Sequence, residues 1–397
     1  MRSIQEINEK IKKKEAVVIT KEELLALAEE KSSRQLLKEI DVVTTATFGP
    51  MCSSGIYFNI GHTSPKIKLG GGKVTLNNVP AYAAFAAADL FLGASALPEG
   101  GPRNSVYPGK FSYGGGHIIE DLVAGKDIVL EAFTYGTDCY PRRSLQSYVN
   151  IKDLNEANLF NIRNAYQNYN VAVNSSSRII YTYMGMLRPE FGNATFSSAG
   201  CLSPLLCDPY FRHIGIGTRL FLGGGVGYVV WWGTQFNASP PRSDKGVPQE
   251  AGGSLAVIGD LKQMSKEFIR GASIQGYGVS LAVGIGVALP LTDEETLKYL
   301  LVKDEDIYAP VVDYAYDYPN RREKVLAKVS YRDLKSGRII LKGKEIPASS
   351  FSSLRKARQI MKELKGWIKE GRFLLTEKVG DFPRTGYAPR PFKERPL

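Results

Sequence analysis

The chain has 397 residues, 43% of them apolar and 23% charged. That composition excludes a disordered, collagen-like or disulfide-stapled protein, and a chain of this length buries enough surface to fold without metals or cross-links. The net charge of +11 suggests a nucleic-acid binder until it is located. Residues 321–397 carry 21 Lys and Arg against 8 Asp and Glu, whereas residues 1–320 carry 30 against 32. A basic C-terminal fifth on a neutral body can steer an acidic protein, nucleic acid or an anionic surface, or simply be solvated.

In chain order, Ile4, Ile7 and Ile11 recur at helical spacing and predict a helix over Ile4–Lys14. A short β-rich run, Ala16–Ile19, follows. Thr20 with Glu22 and Glu23 then reads as an N-cap with an acidic first turn before Leu24–Glu30. Val42–Thr47 is a strand by β-branching and runs into the Gly, Pro and Ser loop that holds Cys52. Pro80–Leu92 predicts a helix, with strong formers behind a first-turn proline. His117–Val123 predicts a helix or turn opened by three glycines, and Asp127–Tyr135 a strand that runs into the loop holding Cys139.

Residues 151–190 predict a helical stretch and then a β-rich run at Arg178–Met184; residues 214–236 and 254–291 predict glycine-rich strands. Two long uncharged stretches, Leu220–Pro241 and Gly271–Leu291, are broken by glycines and read as buried strands, so no membrane span is expected. Val325–Tyr331 and Arg338–Leu341, split by Lys335-Ser336-Gly337, predict a small hairpin. Ser352–Glu370 is the clearest helix, with one stripe of Ala357, Ile360, Met361, Leu364, Trp367 and Ile368. The expected fold is mixed α/β: a large glycine-rich core domain over 1–320, a small basic α+β subdomain over 321–385 and a tail over 386–397. The boundary rests on the charge shift and on Asp317-Tyr318-Pro319-Asn320.

Met1–Glu15 lacks the apolar core of a signal peptide, so a reducing cytoplasm is expected, with Cys52, Cys139, Cys201 and Cys207 as thiols, ligands or nucleophiles. There is no P-loop, no dinucleotide-binding glycine fingerprint, no HExxH and no CxxC. Four cysteines can in principle hold a 4Fe–4S cluster. Cys139 has the best local case for reactivity, because Arg142 and Arg143 follow it and nearby cations favour a thiolate; the rival reading is a small buried cysteine. Cys52 lies with Ser53 and Ser54 in a loop whose N–H groups suit a thiolate or oxyanion. Triple glycines stand at 70–72, 114–116 and 223–225. Those at 114–116, followed by His117, read either as an anion nest or as close packing. His62 and His117 are candidate proton donors, and His213 reads as structural.

The strings TTATFGPMCSSG (44–55), NIGHTSPKIK (59–68), GGGHIIEDLVAGK (114–126), GTDCYPRR (136–143) and GIGTRLFLGGGVGYVVWWGTQ (215–235) resemble the homocysteine-biosynthesis family, the L-aspartate semialdehyde sulfurtransferases of methanogens and other anaerobes. The resemblance runs from about residue 5 to about 385. It implies that sulfur enters L-aspartate semialdehyde to give homocysteine, with Cys139 and Cys52 as the two motif cysteines. In this scheme Cys139 carries a persulfide that adds to the aldehyde and Cys52 resolves or relays it. His117 or His62 serves as proton donor. Arg142 or Arg143 forks onto the substrate carboxylate, with Ser53, Ser54, Gly115, Gly116 and Asp138 completing the site. Electrons are expected from a small ferredoxin-type protein, for which the basic end is a docking candidate. Many relatives carry a pair of CBS domains after this region; none is expected in this chain, and so neither is regulation by a nucleotide bound there. A homo-oligomer is compatible. The rival classes are a cluster-binding redox or sulfur-carrier scaffold using all four cysteines, and a nucleic-acid binder using the basic end. The neutral body argues against the second, so no nucleic acid is expected.

Overall fold

The computed structural model describes residues 2–83, 86–101, 106–315 and 324–396. Its centre is a ten-stranded sheet. The order runs Val18–Thr20, Val42–Pro50, Gly278–Pro290, Arg219–Leu222, Gly225–Trp232, Leu255–Asp260, Ala157–Asn164, Ser54–Asn59, Asp89–Gly93, with Ile269–Ile274 also paired to Gly278–Pro290. Val42–Pro50 and Ser54–Asn59 are six strand places apart, roughly 29 Å on a flat sheet at ~4.8 Å per strand. Only Met51, Cys52 and Ser53 join them, a link that reaches roughly 14 Å at most. The sheet is therefore rolled, and Cys52 lies on the link across the seam.

The helix Gly115–Val123 covers that seam. A Cβ on Gly115 would stand 1.9 Å from the Gly93 carbonyl oxygen, and one on Gly116 would stand 2.1 Å from that of Ser280. Only glycine lets the helix touch both flanks of the roll. On another face lies Leu354–Lys369, capped by Ser353, which accepts from the Lys356 N–H. Its stripe of Ala357, Ile360, Met361, Leu364 and Ile368 is buried. Gly284 and Gly286 let Ile360 lie directly on the long buried strand Gly278–Pro290. Of the uncharged stretches, Leu220–Leu222 and Gly278–Pro290 are buried strand, whereas Tyr228, Trp231 and Tyr277 are exposed and 233–241 is loop; among the described residues no helix is long and apolar enough to cross a membrane.

A second sheet orders Lys324–Ser330, Tyr308–Asp313, Val171–Val173, Ala194–Phe196, Lys344–Ser350 and Arg338–Leu341. A four-stranded sheet orders Val79–Ala81, Lys73–Leu76, Ile128–Phe133 and Ser144–Val149. The mixed α/β class is as expected. The segment 317–320 proposed as a boundary lies outside the described residues. Beyond it the chain is woven into the body: three of its strands complete the second sheet, and its helix packs on the central one. The change of charge at 320 is not matched by a separate core.

Three local expectations are corrected. In place of a helix over Pro80–Leu92, Val79–Ala81 and Asp89–Gly93 are strands, with residues 84 and 85 outside the described residues. Asp89–Gly93 pairs with Ser54–Asn59 and buries Leu90 and Leu92, so tertiary pairing overrides alanine-rich propensity. The helical stretch after residue 151 is instead the strand Ala157–Asn164. The expected hairpin is not one: Lys324–Ser330 pairs with Tyr308–Asp313, a short helix Tyr331–Lys335 follows, and Arg338–Leu341 pairs with Lys344–Ser350. A genuine tight hairpin joins Arg219–Leu222 to Gly225–Trp232, where Gly223 and Gly224 both take positive φ.

Candidate active site

The seam link opens into a cavity of about 370 Å³ lined by Cys52, Ser53, Arg163, Tyr166, Gln235 and Tyr277, among others. Cys52 is half-buried. Tyr277, on the turn between Ile269–Ile274 and Gly278–Pro290, lines the cavity together with Cys52. Its phenol is pushed above its usual range, first by burial and then by the nearby Cys52; Arg163 acts the other way. Ser53 Oγ donates to the Arg163 carbonyl at 3.2 Å, tying the seam link to the adjacent strand Ala157–Asn164. Ser54 is buried, accepts from Asn161 Nδ2 at 2.6 Å and does not line the cavity. No Asp or Glu lines it.

Arg163 reaches this wall because its strand bulges. Val257 pairs with Asn161 and Leu255 with Asn164, one residue too many on the Arg163 side, and such a bulge redirects side chains. Ala165 follows with φ of 53°, a strained value for a residue bearing a Cβ. Above the cavity Tyr183 contacts Tyr169 at 3.0 Å and Tyr314 at 2.7 Å, oxygen to oxygen. Burial raises the Tyr183 phenol well above its usual range and pushes Tyr166 up to about 12, so this wall offers neutral hydroxyls.

Cys139 sits elsewhere. Ile128–Phe133 and Ser144–Val149 pair up to Phe133 and Ser144, leaving 134–143 as their end loop. Thr137 and Tyr140 exchange backbone hydrogen bonds of 2.9 and 3.1 Å around Cys139, which is exposed with its Sγ 3.5 Å from Thr137 Oγ1. The His62 ring lies 5.9 Å from that of Tyr140. Lys68 Nζ donates to Tyr135 Oη at 2.7 Å. That bond raises the lysine's pKa most, and the Cys139 charge adds to it. Arg142 Nε donates to the Ser144 carbonyl, Arg143 lies over Gly136, and Asp138 is exposed. None of these lines the Cys52 cavity. His62 follows Asn59, the far end of the strand that begins beside Cys52. That strand of six residues spans roughly 17 Å at ~3.3 Å per residue. The two thiols therefore do not meet within one chain.

The other candidates find structural places. Gly115 and Gly116 donate their N–H groups to the carbonyls of Ala96 and Ala94 at 2.9 Å each, so the triplet is close packing and not an anion nest. His117 stacks on Tyr113, with Nε2 3.3 Å from Ser273 Oγ and Nδ1 buried without a partner. Burial lowers its pKa against the pull of Glu120 and Asp121, and it does not line the cavity. His213 contacts Thr296 Oγ1 at 2.9 Å and is structural as expected. Cys201 and Cys207 are buried, and burial pushes their thiols to about 12 and about 11. Among the described residues no three His, Cys, Asp or Glu side chains gather to hold a metal, so the four-cysteine set is not assembled. Sequence reasoning missed Lys68, Arg163 and Tyr277. Lys68 stands in the family-like string 59–68, but Arg163 and Tyr277 carry no local signal.

A thiol on a half-open cavity and a second thiol at a surface loop are compatible with a thiol-dependent group-transfer enzyme. The chain belongs to the family described as homocysteine biosynthesis enzyme, sulfur-incorporation, whose model matches residues 16–375. The L-aspartate semialdehyde sulfurtransferase of Methanosarcina acetivorans is 45% identical over 387 residues, covering 98% of this chain and 73% of that protein. The protein of the same description from Methanocaldococcus jannaschii is also 45% identical, over 98% of this chain and 75% of its own length. An uncharacterized protein of Methanothermobacter thermautotrophicus is 27% identical over 85% of the chain. No solved structure matches.

Proposed function

We propose that this chain puts sulfur into L-aspartate semialdehyde to form L-homocysteine. The observation that carries this, beside the family, is Cys52: a thiol at a cavity within the roughly 300–1,000 Å³ range of small-molecule sites. The aldehyde carbon is an electrophile that a sulfur nucleophile attacks. The aldehyde, hydrogen sulfide, two electrons and two protons balance to homocysteine and water. Sulfur delivered as a cysteine persulfide requires two further electrons when its S–S bond is cleaved.

The thiols divide the work by location. Cys139, exposed beside Lys68, is where a donor protein's cysteine persulfide hands over its sulfane sulfur, the donor leaving as a thiol, with His62 close by; free sulfide bypasses this step and reacts at the Cys52 cavity directly. Cys52 acts at the substrate. Their separation makes transfer between them intermolecular, through a carrier or a second copy. Electrons come from a small ferredoxin-type protein. Purified protein incubated anaerobically with L-aspartate semialdehyde, sulfide and a low-potential reductant tests the reading, with homocysteine followed by mass spectrometry. Product from the wild type that vanishes in Cys52→Ser supports it; no product, even with a ferredoxin added, sinks it.

A further inference from the structure

We propose that the seam cavity is the amino-acid subsite, in which Arg163 pairs with the α-carboxylate of the substrate. This rests on the proposed reaction, and it moves carboxylate recognition from Arg142 and Arg143 to a residue on another strand. Four observations converge on 162–165. The strand bulges there, which brings Arg163 onto the cavity wall. Arg163 is half-buried, and among the described residues no carboxylate pairs with its guanidinium. Asn164, fully buried between two cavity-lining residues, has neither amide atom hydrogen-bonded. Ala165 holds a positive φ. Strain and unpaired polar groups concentrate where a ligand completes the site.

The charge balance of the cavity selects the ligand. Its lining has one guanidinium, no carboxylate, and neutral hydroxyls and an amide from Ser53, Ser197, Ser198, Tyr166 and Gln235. A half-buried cation with no counter-ion favours a small anion, and guanidinium forks onto carboxylate through paired N–H donors. Hydroxyl and amide oxygens accept from an α-ammonium group. Cys52 and Tyr277 line the same cavity. A short amino acid with its carboxylate on Arg163 thus shares the cavity with the thiol.

Arg142 and Arg143 lack these features. Arg142 is spent on the Ser144 carbonyl, and both lie on the Cys139 loop outside the cavity.

The test uses L-homoserine, which carries an alcohol where the substrate has its aldehyde, and 3-aminopropanol, the same molecule without the carboxylate. In the wild type L-homoserine slows Cys52 alkylation by iodoacetamide and 3-aminopropanol does not. Arg163→Gln abolishes that protection and raises KM for the aldehyde at least tenfold, with kcat changed less than threefold; Arg163→Lys recovers part of it. Tyr277→Phe, a cavity-lining change that keeps the guanidinium, leaves homoserine protection intact. Thermal melts establish that each variant is folded. Protection and KM unchanged in folded Arg163→Gln overturn the subsite, as does equal protection by the two probes. Protection that depends on Arg163 in a wild type making no homocysteine upholds the subsite and overturns the reaction instead.

Discussion

Cysteine reactivity in this chain is decided by where each thiol sits. Cys139 is exposed, Cys52 half-buried, and Cys201 and Cys207 buried with thiols pushed to about 12 and about 11. At pH 8 the buried pair is thiolate only to about one part in a thousand or less. Iodoacetamide on native protein therefore labels Cys139 first and Cys52 next, and spares Cys201 and Cys207 until denaturant is added; peptide mass spectrometry reads the order. His117 and His213 behave as a pair with respect to acid. Burial lowers both pKa values, so the folded state holds them neutral. The unfolded chain takes up these protons at about pH 6.5. Their contribution is complete above that value and declines as pH falls through it toward the folded pKa values. Urea midpoints measured between pH 7.5 and 5 should fall, and a His213→Asn variant should show a shallower decline. Cys52 and Cys139 were legible as residues because both stand in long family-like strings, whereas Arg163 and Tyr277 were not, because a bulge and a turn bring them to Cys52.

At the scale of elements, local signals held where a short range of sequence determines the outcome. Thr20 is the N-cap the spacing predicts; its helix runs over Lys21–Leu27, earlier than the expected Leu24–Glu30, and Glu23 reaches back to the cap. Ser353 caps Leu354–Lys369, and Ser353→Ala should lower stability by about 1 kcal/mol, read from the urea midpoint. The alanine-rich run before Leu92 failed for the opposite reason. Its Leu90 and Leu92 gain more from a place in the central sheet than alanine gains from a helix. The glycine triplet at 114–116 had two readings, and distance decides between them. With the Gly93 carbonyl oxygen 1.9 Å from an added Cβ, Gly115→Ala must push the helix off the seam. A loss on the order of 1–3 kcal/mol follows. The same variant should also speed Cys52 alkylation, because the helix covers the seam on which Cys52 lies.

At the scale of the whole molecule, the charge and the two thiols change meaning together. The basic C-terminal fifth looks like a docking face in the sequence, but part of its excess is answered by acids far away in the chain. Arg358 meets Glu22, Lys365 meets Glu23 and Lys356 meets Glu267. Lys362 and Lys369 remain exposed. Docking of an acidic electron carrier at this face predicts that Lys362→Glu with Lys369→Glu slows ferredoxin-driven turnover several-fold at low salt and much less at high salt. The separation of Cys52 and Cys139 predicts complementation. With a persulfide donor in place of free sulfide, a mixture of Cys52→Ser and Cys139→Ser proteins should regain homocysteine formation that neither has alone. A mixture that stays inactive, with both variants folded, would place the relay within one chain. Peptide mapping of oxidised monomer should find no Cys52–Cys139 disulfide, since such a bond needs Cα atoms within about 7 Å.

By itself the sequence determined the mixed α/β class, the capped helices, the buried glycine-rich strands, the two motif cysteines and the family. Each of these is written in short-range periodicity, capping chemistry or contiguous motif. Only the tertiary structure decided that the sheet rolls, that residues beyond 320 complete sheets begun earlier, that Cys139 lies outside the cavity and that Arg163 lies inside it. Those outcomes depend on strands distant in the chain pairing side by side, and on a three-residue link too short to let the sheet stay flat. No local pattern encodes either.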